Sequence, residues 1–311
     1  MRTGRRPQGT GHRETQEPGS GRAEASTPLT GSAAGRLFVV ATPIGNLADL
    51  SPRAREVLSG VRWVLAEDTR RVRGLLTHFG ITAAVRSLHE HNEEREVPRL
   101  LAALAGGSDL ALVSDAGTPL LADPGFRLVR SCRERGFPVL AVPGASAVTA
   151  ALAVAGLPPT PFTFAGFLPA RGGARAAALA ALAGLPHTLV LFLSPHRLAA
   201  EILACAAALG EAREAVVLAE LTKLHERCVR GTLAELARWA ATAEARGEYT
   251  LVVGPPPPTR PPEPSHEEAR CAVDEELSRG LDRPQALRAA ARRLGVPRRA
   301  LYALLTRRSG E

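Results

Sequence analysis

Six consecutive residues, Ser114-Asp115-Ala116-Gly117-Thr118-Pro119, have the chemistry of a pocket for a small zwitterion. Glycine and alanine let a ligand approach the backbone closely, the amides can take a carboxylate, and Asp115 can accept from a hydroxyl or an ammonium. A plain turn with Asp115 as a cap is the alternative reading of the same residues. Neither a Walker lysine nor a G-x-G-x-x-G follows any strand, so a phosphate-cradling loop is unsupported. A second signal is compositional. The chain has 39 basic residues, of which only Lys223 is a lysine. Chance survival would explain it, as would a task that needs a compact ammonium with a tunable pKa, which a guanidinium cannot supply.

The elements that must carry these residues follow from hydrophobic periodicity. Short apolar runs at 37–41, 61–66, 110–113 and 138–142 alternate with helical stretches and give an open, largely parallel sheet. Ser51-Pro52 and Asp123-Pro124 each place a cap before a first-turn proline, and Gly136 stops the helix that follows Pro124. After a turn-rich linker at 156–161 a second α/β unit has strands at 162–166, 188–193, 215–219 and 248–253. Thr232 and Glu235 form a capping box within it. The last part reads as helices near 267–279, from the Asp282–Gln285 box to Leu294, and on to about Arg307, a helix-turn-helix outline. The domain expectation is therefore a disordered tail 1–35, α/β domains 36–156 and 162–254, a proline-rich spacer 255–264 and a basic helical module 265–311.

In open α/β sheets ligands collect beyond the carboxyl ends of the strands. That rule selects Thr42 to Asn46, Glu67 to Arg70, Ser114 to Pro119, Pro143 to Ser146, Ser194 to Arg197 and Glu220 to Lys223. Four of these loops belong to the first unit and two to the second, so an interdomain cleft would gather all of them.

Bulk numbers bound the function classes. At 311 residues the chain is long enough for two cored domains. Four scattered cysteines lack any C-x-x-C pair, so neither a zinc site nor a disulfide framework is indicated and a reducing cytoplasm fits best. No apolar run has the length of a membrane span, and no signal-peptide core opens the chain. The net charge of +8 equals the eight arginines of residues 283–308, a stretch without an acidic residue. Such a module points to a polyanion, nucleic acid before membrane; a solvated basic face is the bland alternative. His89, Glu90, His91, Asn92 and Glu93 suit RNA contact or a helix cap at Asn92. Adjacent histidines are not the i, i+4 pair of helical metal sites, and no metal is expected.

The segments LVSDAGTPLLADPG, VVATPIGNLADLSPRA, LAEDTRR, LHEHNE, VPGASA, GFLPARG, SPHR and AELTKLHERCVRG resemble those of the bacterial 16S ribosomal RNA cytidine 2′-O-methyltransferases. The resemblance runs from about Leu37 to Gly254. It implies the two-domain tetrapyrrole-methylase fold, S-adenosyl-L-methionine as methyl donor in the interdomain cleft, 16S ribosomal RNA of the small subunit as acceptor, and a homodimer. Donor contacts would fall on Pro43, on Asp115, Ala116, Gly117, Thr118 and Pro119, on Ser146 and Ala147, and on Leu193, Leu221 and Thr250. Two departures stand out: Leu193 where the family usually has glutamate, and Ala145 where a second proline is common. For the proton of a ribose hydroxyl, Lys223, Glu220 and Asp68 are the candidate bases, or no dedicated base is used. A neutral Lys223 would need a lowered pKa. Substrate RNA contacts are expected at Glu67, Arg70, His89, Asn92 and Arg197. A tetrapyrrole methylase of the same fold and a non-catalytic RNA-binding assembly factor are the competing readings.

Overall fold

The computed structural model describes residues 34–257 and 264–306. The expected tail up to residue 33, most of the proline-rich spacer and the last two arginines of the basic stretch lie outside them. Two compact units divide the chain, the first ending at Ser146 and the second starting at Ala147.

The first unit is built from β1 (Leu37–Val40), α1 (Pro52–Gly60), β2 (Trp63–Ala66), α2 (Thr69–His78), β3 (Ala84–Ser87), α3 (Glu93–Ala105), β4 (Leu110–Val113), α4 (Phe126–Glu134) and β5 (Val139–Val142). Its five strands lie in the order β3-β2-β4-β1-β5, and every pairing is parallel. Apolar residues on both faces of each central strand explain this, because a parallel sheet must be covered on both sides. Alternate residues go to alternate faces. Phe38, Val40, Val64, Ala66, Ala111 and Val113 pack with Leu58 of α1 and Val72 and Leu76 of α2. Leu37, Leu65, Leu110 and Leu112 pack with Leu100 and Leu104 of α3 and Leu128 of α4. The helices after β1 and β2 thus cover one face and the helix after β4 covers the other. Since β4 lies between β2 and β1, the chain leaving β4 turns opposite to the chains leaving both neighbours, which makes this the topological switch point.

The expected cap at Ser51 is present: its hydroxyl accepts from the amide of Ala54 at 3.1 Å. The expected cap at Asp123 is not. Helix α4 starts later, behind Gly125 in the left-handed region at φ +115°, with no side-chain cap. A Cβ at Gly125 would stand 2.5 Å from Cδ2 of Leu112. Close approach to β4 therefore decides this turn, and Asp123 is left for another use.

The second unit holds α5 (Ala147–Val154), β6 (Phe162–Phe167), α6 (Gly172–Ala183), β7 (Thr188–Leu193), α7 (Leu198–Leu209), β8 (Glu214–Ala219), β9 (Arg227–Thr232), α8 (Leu233–Thr242) and β10 (Tyr249–Val253). Its sheet is mixed, in the order β6-β7-β10-β8-β9, with only β6 and β7 parallel neighbours. Leu189, Leu191, Leu193, Val217, Tyr249 and Leu251 face the helices α6, α7 and α8, while α5 packs against β10. At the far end of this sheet from the candidate loops, Arg213 is 2% exposed. Its Nε donates to the carbonyl of Gly254 at 2.6 Å and its Nη2 to that of His187 at 3.1 Å, tying the end of β10 to the start of β7. Burial without a carboxylate lowers its pKa. Arg213→Ala strands both carbonyls, and we expect it to cost about 2–4 kcal/mol, seen as a lower urea midpoint. A midpoint equal to that of the unaltered chain would refute this role.

The chain ends in α9 (His266–Ser278), α10 (Arg283–Arg293) and α11 (Arg298–Thr306) around a small alanine-rich core that includes Ala272, Ala290 and Leu301. The Asp282–Gln285 capping box forms as expected, and Ser265 with Glu268 makes another. Among the described residues no helix is long and apolar enough to cross a membrane.

Candidate active site

Because β4, β1 and β5 are adjacent and parallel, the loops that leave them emerge side by side. The amide of Thr42 donates to the carbonyl of Gly117 at 2.9 Å, and the amide of Gly117 returns the bond to Thr42 at 3.1 Å. The hydroxyl of Ser114 donates to the carbonyl of Gly117 at 2.9 Å, and that of Thr118 to the carbonyl of Ala145 at 3.1 Å. Gly117 has φ +83°, and a Cβ there would press to 3.0 Å on Cγ2 of Ile44. Only glycine allows this junction without strain. Asp115 extends the stitching to β2, accepting from the amide of Asp68 through Oδ1 at 3.0 Å. Among the described residues its Oδ2 has only Arg71 as an ion-pair partner, at 3.8 Å. Pro43, the Asp115 to Pro119 loop and Ser146 are thus held on one edge of the first unit. One expectation changes: the Gly117 amide is already committed to Thr42, so ligand recognition by this loop rests on the other amides and on Asp115.

In the second unit β7 and β8 flank the antiparallel β10, so their carboxyl ends share an edge, with Tyr249 in register with both Leu193 and Ala219. Lys223 Nζ donates to Oε1 of Glu220 at 2.8 Å and lies 3.3 Å from Oε2 of Glu248. The same Glu220 oxygen accepts from the amide of Glu248 at 2.8 Å. Glu220 and Thr222 adopt left-handed conformations, with φ of 55° and 65°. Residues other than glycine rarely do so, and such outliers cluster at working sites. Leu193 and Thr250 do not meet. Leu193 faces the helix-packed core, whereas Thr250 pairs with Phe192 and so lies on the opposite face of the sheet. Leu193 therefore has only its backbone to offer a ligand. Leu221 is buried.

A family model of the tetrapyrrole (corrin/porphyrin) methylases matches residues 36–237. The ribosomal RNA small subunit methyltransferase I of Xylella fastidiosa (strain Temecula1) is 45% identical over 279 residues, covering 87% of this chain and 99% of the relative. The chain belongs to the family of these methyltransferases. The Synechocystis member is 43% identical over 270 residues, covering 87% of this chain and 97% of that one. Among solved structures, uroporphyrin-III C-methyltransferase of Thermus thermophilus, complexed with S-adenosylhomocysteine, shares the fold at a TM-score of 0.51. It is 21% identical, covering 71% of this chain and 97% of that one.

In this methyltransferase none of the three candidate bases has the proton affinity of a base poised near neutrality. Partial burial lowers the pKa of Lys223, but the hydrogen bond to Glu220 and the charge of Glu248 outweigh it, so the net movement is upward. Lys223 is an ammonium, and the expected lowered pKa is corrected by its two carboxylate neighbours. Glu220 moves down through the same hydrogen bond. Asp68 caps α2 and grips Arg70 at 2.8 Å, and these bonds hold its carboxyl at about 2.

The group with the opposite property is Asp123, which residue patterning missed. Burial, followed by the charges of Glu67 and Asp115, pushes it up to about 6. An unfolded aspartate titrates near 3.8. The stability held by the protonated form is thus complete below that pH and is lost as pH rises through about 6. Asp123→Asn, which cannot ionise, should melt about 3 °C higher at pH 7.5 and match the unaltered protein at pH 3.8, reflecting on the order of 1 kcal/mol after solvent screening. Equal melting at both pH values would remove the repulsion.

Of the residues expected to meet RNA, Glu67 and Arg70 lie with Asp68 at the end of β2, next to the Asp115 loop. His89 and Asn92 lie at the end of the edge strand β3. Asn92 precedes α3 without capping it, instead accepting from the amide of His89 at 2.9 Å and donating to the carbonyl of Ser87 at 3.1 Å. Arg197 is tied by Nε to the buried Glu201 at 2.8 Å. That carboxylate also accepts from the amide of Ser194, at 2.9 Å. Glu201 had no sequence signal beyond its place one turn after Arg197. Among the described residues no cluster of three metal-ligating side chains occurs.

Proposed function

We propose that this methyltransferase moves a methyl group from S-adenosyl-L-methionine to the 2′-hydroxyl of a cytidine in 16S ribosomal RNA of the small ribosomal subunit. The observation that carries the reading is the stitched edge at the switch point of the first sheet, where Asp115 presents a lightly engaged Oδ2 beside the Ala116 to Pro119 backbone. A carboxylate and an ammonium on one small molecule match that pair of features, so the residues present fit this donor. The names of the relatives support ribosomal RNA as acceptor.

Pro43, Asp115, Ala116, Gly117, Thr118, Pro119, Ser146 and Ala147 hold the donor, and Leu221, Thr250 and the backbone of Leu193 complete its site. In the transfer the sulfur–methyl bond breaks as the methyl–oxygen bond forms, and the hydroxyl loses its proton. Alignment supplies much of the acceleration for such an in-line displacement. Solvent takes the proton first, and Lys223, fixed between Glu220 and Glu248, stabilises the ribose oxyanion that remains until the methyl group reaches it. The first α/β domain is assigned from residue 36 to Ser146, short of the expected 156, and the second from Ala147 to 254, followed by the spacer 255–264 and the basic module 265–311; the enzyme works in the cytoplasm, as a homodimer. Incubation with donor labelled in the methyl group, and with either isolated small subunits or a porphyrinogen, tests the acceptor. Label in cytidine ribose is expected, and label in the porphyrinogen alone would overturn the assignment.

A further inference from the structure

The three C-terminal helices divide their charges unevenly. On α9 the arginines are engaged: Arg270 lies 3.8 Å from Asp274, and Arg279, just past the helix end, is 2.8 Å from Glu276. Arg293, the last residue of α10, reaches back to Glu275 and Glu276. From Arg283 to Thr306 there is no acidic residue. Arg288 and Arg292 on α10, and Arg298 and Arg299 at the start of α11, are exposed, and no carboxylate of the described residues pairs with any of them. Arg288 and Arg292 are one turn apart on the face opposite the buried Ala286, Leu287, Ala290 and Ala291. Like charges at that spacing repel, so the helix carries a pair that its own fold does not reward.

One turn beyond Arg298 stands Tyr302, 59% exposed in a chain with only two tyrosines. Guanidinium groups beside an open aromatic face are the means by which proteins hold a nucleic-acid backbone and stack an unpaired base. A lipid surface would call for a broad apolar stripe, and the exposed side of α11 offers one tyrosine among polar and small residues.

We propose that α10 and α11 form a docking surface for unpaired RNA, in which Arg288, Arg292, Arg298 and Arg299 hold backbone phosphates and Tyr302 stacks on a base. Helix α9 is the charge-neutralised support behind them. The proposal rests on RNA being the acceptor and adds the part of the chain that retains it.

The test uses the full chain and fluorescence anisotropy with a labelled unpaired RNA of about 20 nucleotides and a duplex of the same length, over a potassium chloride series. The fourfold variant R288Q/R292Q/R298Q/R299Q should bind the unpaired RNA roughly 30-fold more weakly at low salt. Its log–log salt slope should flatten by about 3, roughly 0.7 for each single-strand phosphate that an arginine no longer neutralises. The control R270Q/R279Q should stay within about twofold of the unaltered chain, because those arginines are already paired. Circular dichroism should report equal helix content for all forms. Tyr302→Leu should weaken binding of the unpaired RNA about fivefold and leave the duplex unchanged.

An unchanged slope in the fourfold variant would overturn the proposal. So would loss of binding to phosphatidylserine vesicles with RNA binding kept, which would make the surface a membrane contact. Failure of the acceptor assignment is separately visible: the unaltered chain would then bind RNA with the salt slope described and put no label into small-subunit RNA.

Discussion

Asp115→Ala is expected to raise the dissociation constant for S-adenosyl-L-methionine roughly 100-fold in titration calorimetry, with the fold retained. Two losses add. The variant removes a charged acceptor for the donor's ammonium or hydroxyl groups, worth about 1.5–3 kcal/mol for a charged hydrogen bond. It also releases the amide of Asp68, which Oδ1 now holds at 3.0 Å, so the β2 loop loses its tie to the β4 loop. About 2.7 kcal/mol corresponds to a hundredfold. Asp115→Asn separates the two contributions, because it keeps an acceptor for the Asp68 amide and loses only charge. It should fall between, near tenfold. A dissociation constant for Asp115→Ala equal to that of the unaltered chain would remove Asp115 from the donor site.

The junction of the β1 and β4 loops was legible in the sequence because those two strands are central. The run at 110–113 is apolar on both faces and coincides with β4, and the run at 188–193 coincides with β7. The two strands without a sequence signal, β3 and β9, lie at the edges of their sheets and carry polar residues such as Arg86 and Arg230 where a central strand would be apolar. Edge strands are kept polar to discourage further pairing, and the same property hides them from a search for apolar runs. Asp123 was hidden differently. Aspartate before proline is a common helix start, and only the packing of Gly125 on Leu112 reveals that the helix begins later, leaving the carboxyl among Glu67 and Asp115. Its proton affinity comes first from burial and then from the charges of residues 56 and 8 positions away in the chain, none of which a local pattern carries.

Lys223 shows the limit in the other direction. Its singularity among the basic residues drew attention to this loop, but its expected state was reversed by partners that spacing reveals only in part. Glu220 is three residues away, while Glu248 arrives through the pairing of β8 with β10. The loop depends on Gly247 as well. At φ +81°, a Cβ there would stand 2.0 Å from the Glu220 oxygen that Lys223 holds.

These contacts make opposite predictions for a lysine base and a lysine ammonium. A base would give a transfer rate that rises with pH until the amine is neutral. With the pKa of Lys223 moved above its ordinary 10.5, the rate constant kcat/KM for methyl transfer to small subunits should show no lysine ionisation between about pH 7.5 and 9.5. Lys223→Met should lower kcat/KM roughly 100-fold, the loss expected when a fixed positive charge is withdrawn from the ribose oxyanion that proton loss to solvent leaves ahead of methyl transfer, with donor affinity unchanged in calorimetry. Gly247→Ala should reproduce much of that loss while leaving the lysine in place, because the displaced Glu220 no longer fixes the ammonium. A rate that climbs about tenfold per pH unit through this range in the unaltered enzyme, and becomes flat in Lys223→Met, would restore the lysine as the base and overturn the electrostatic role.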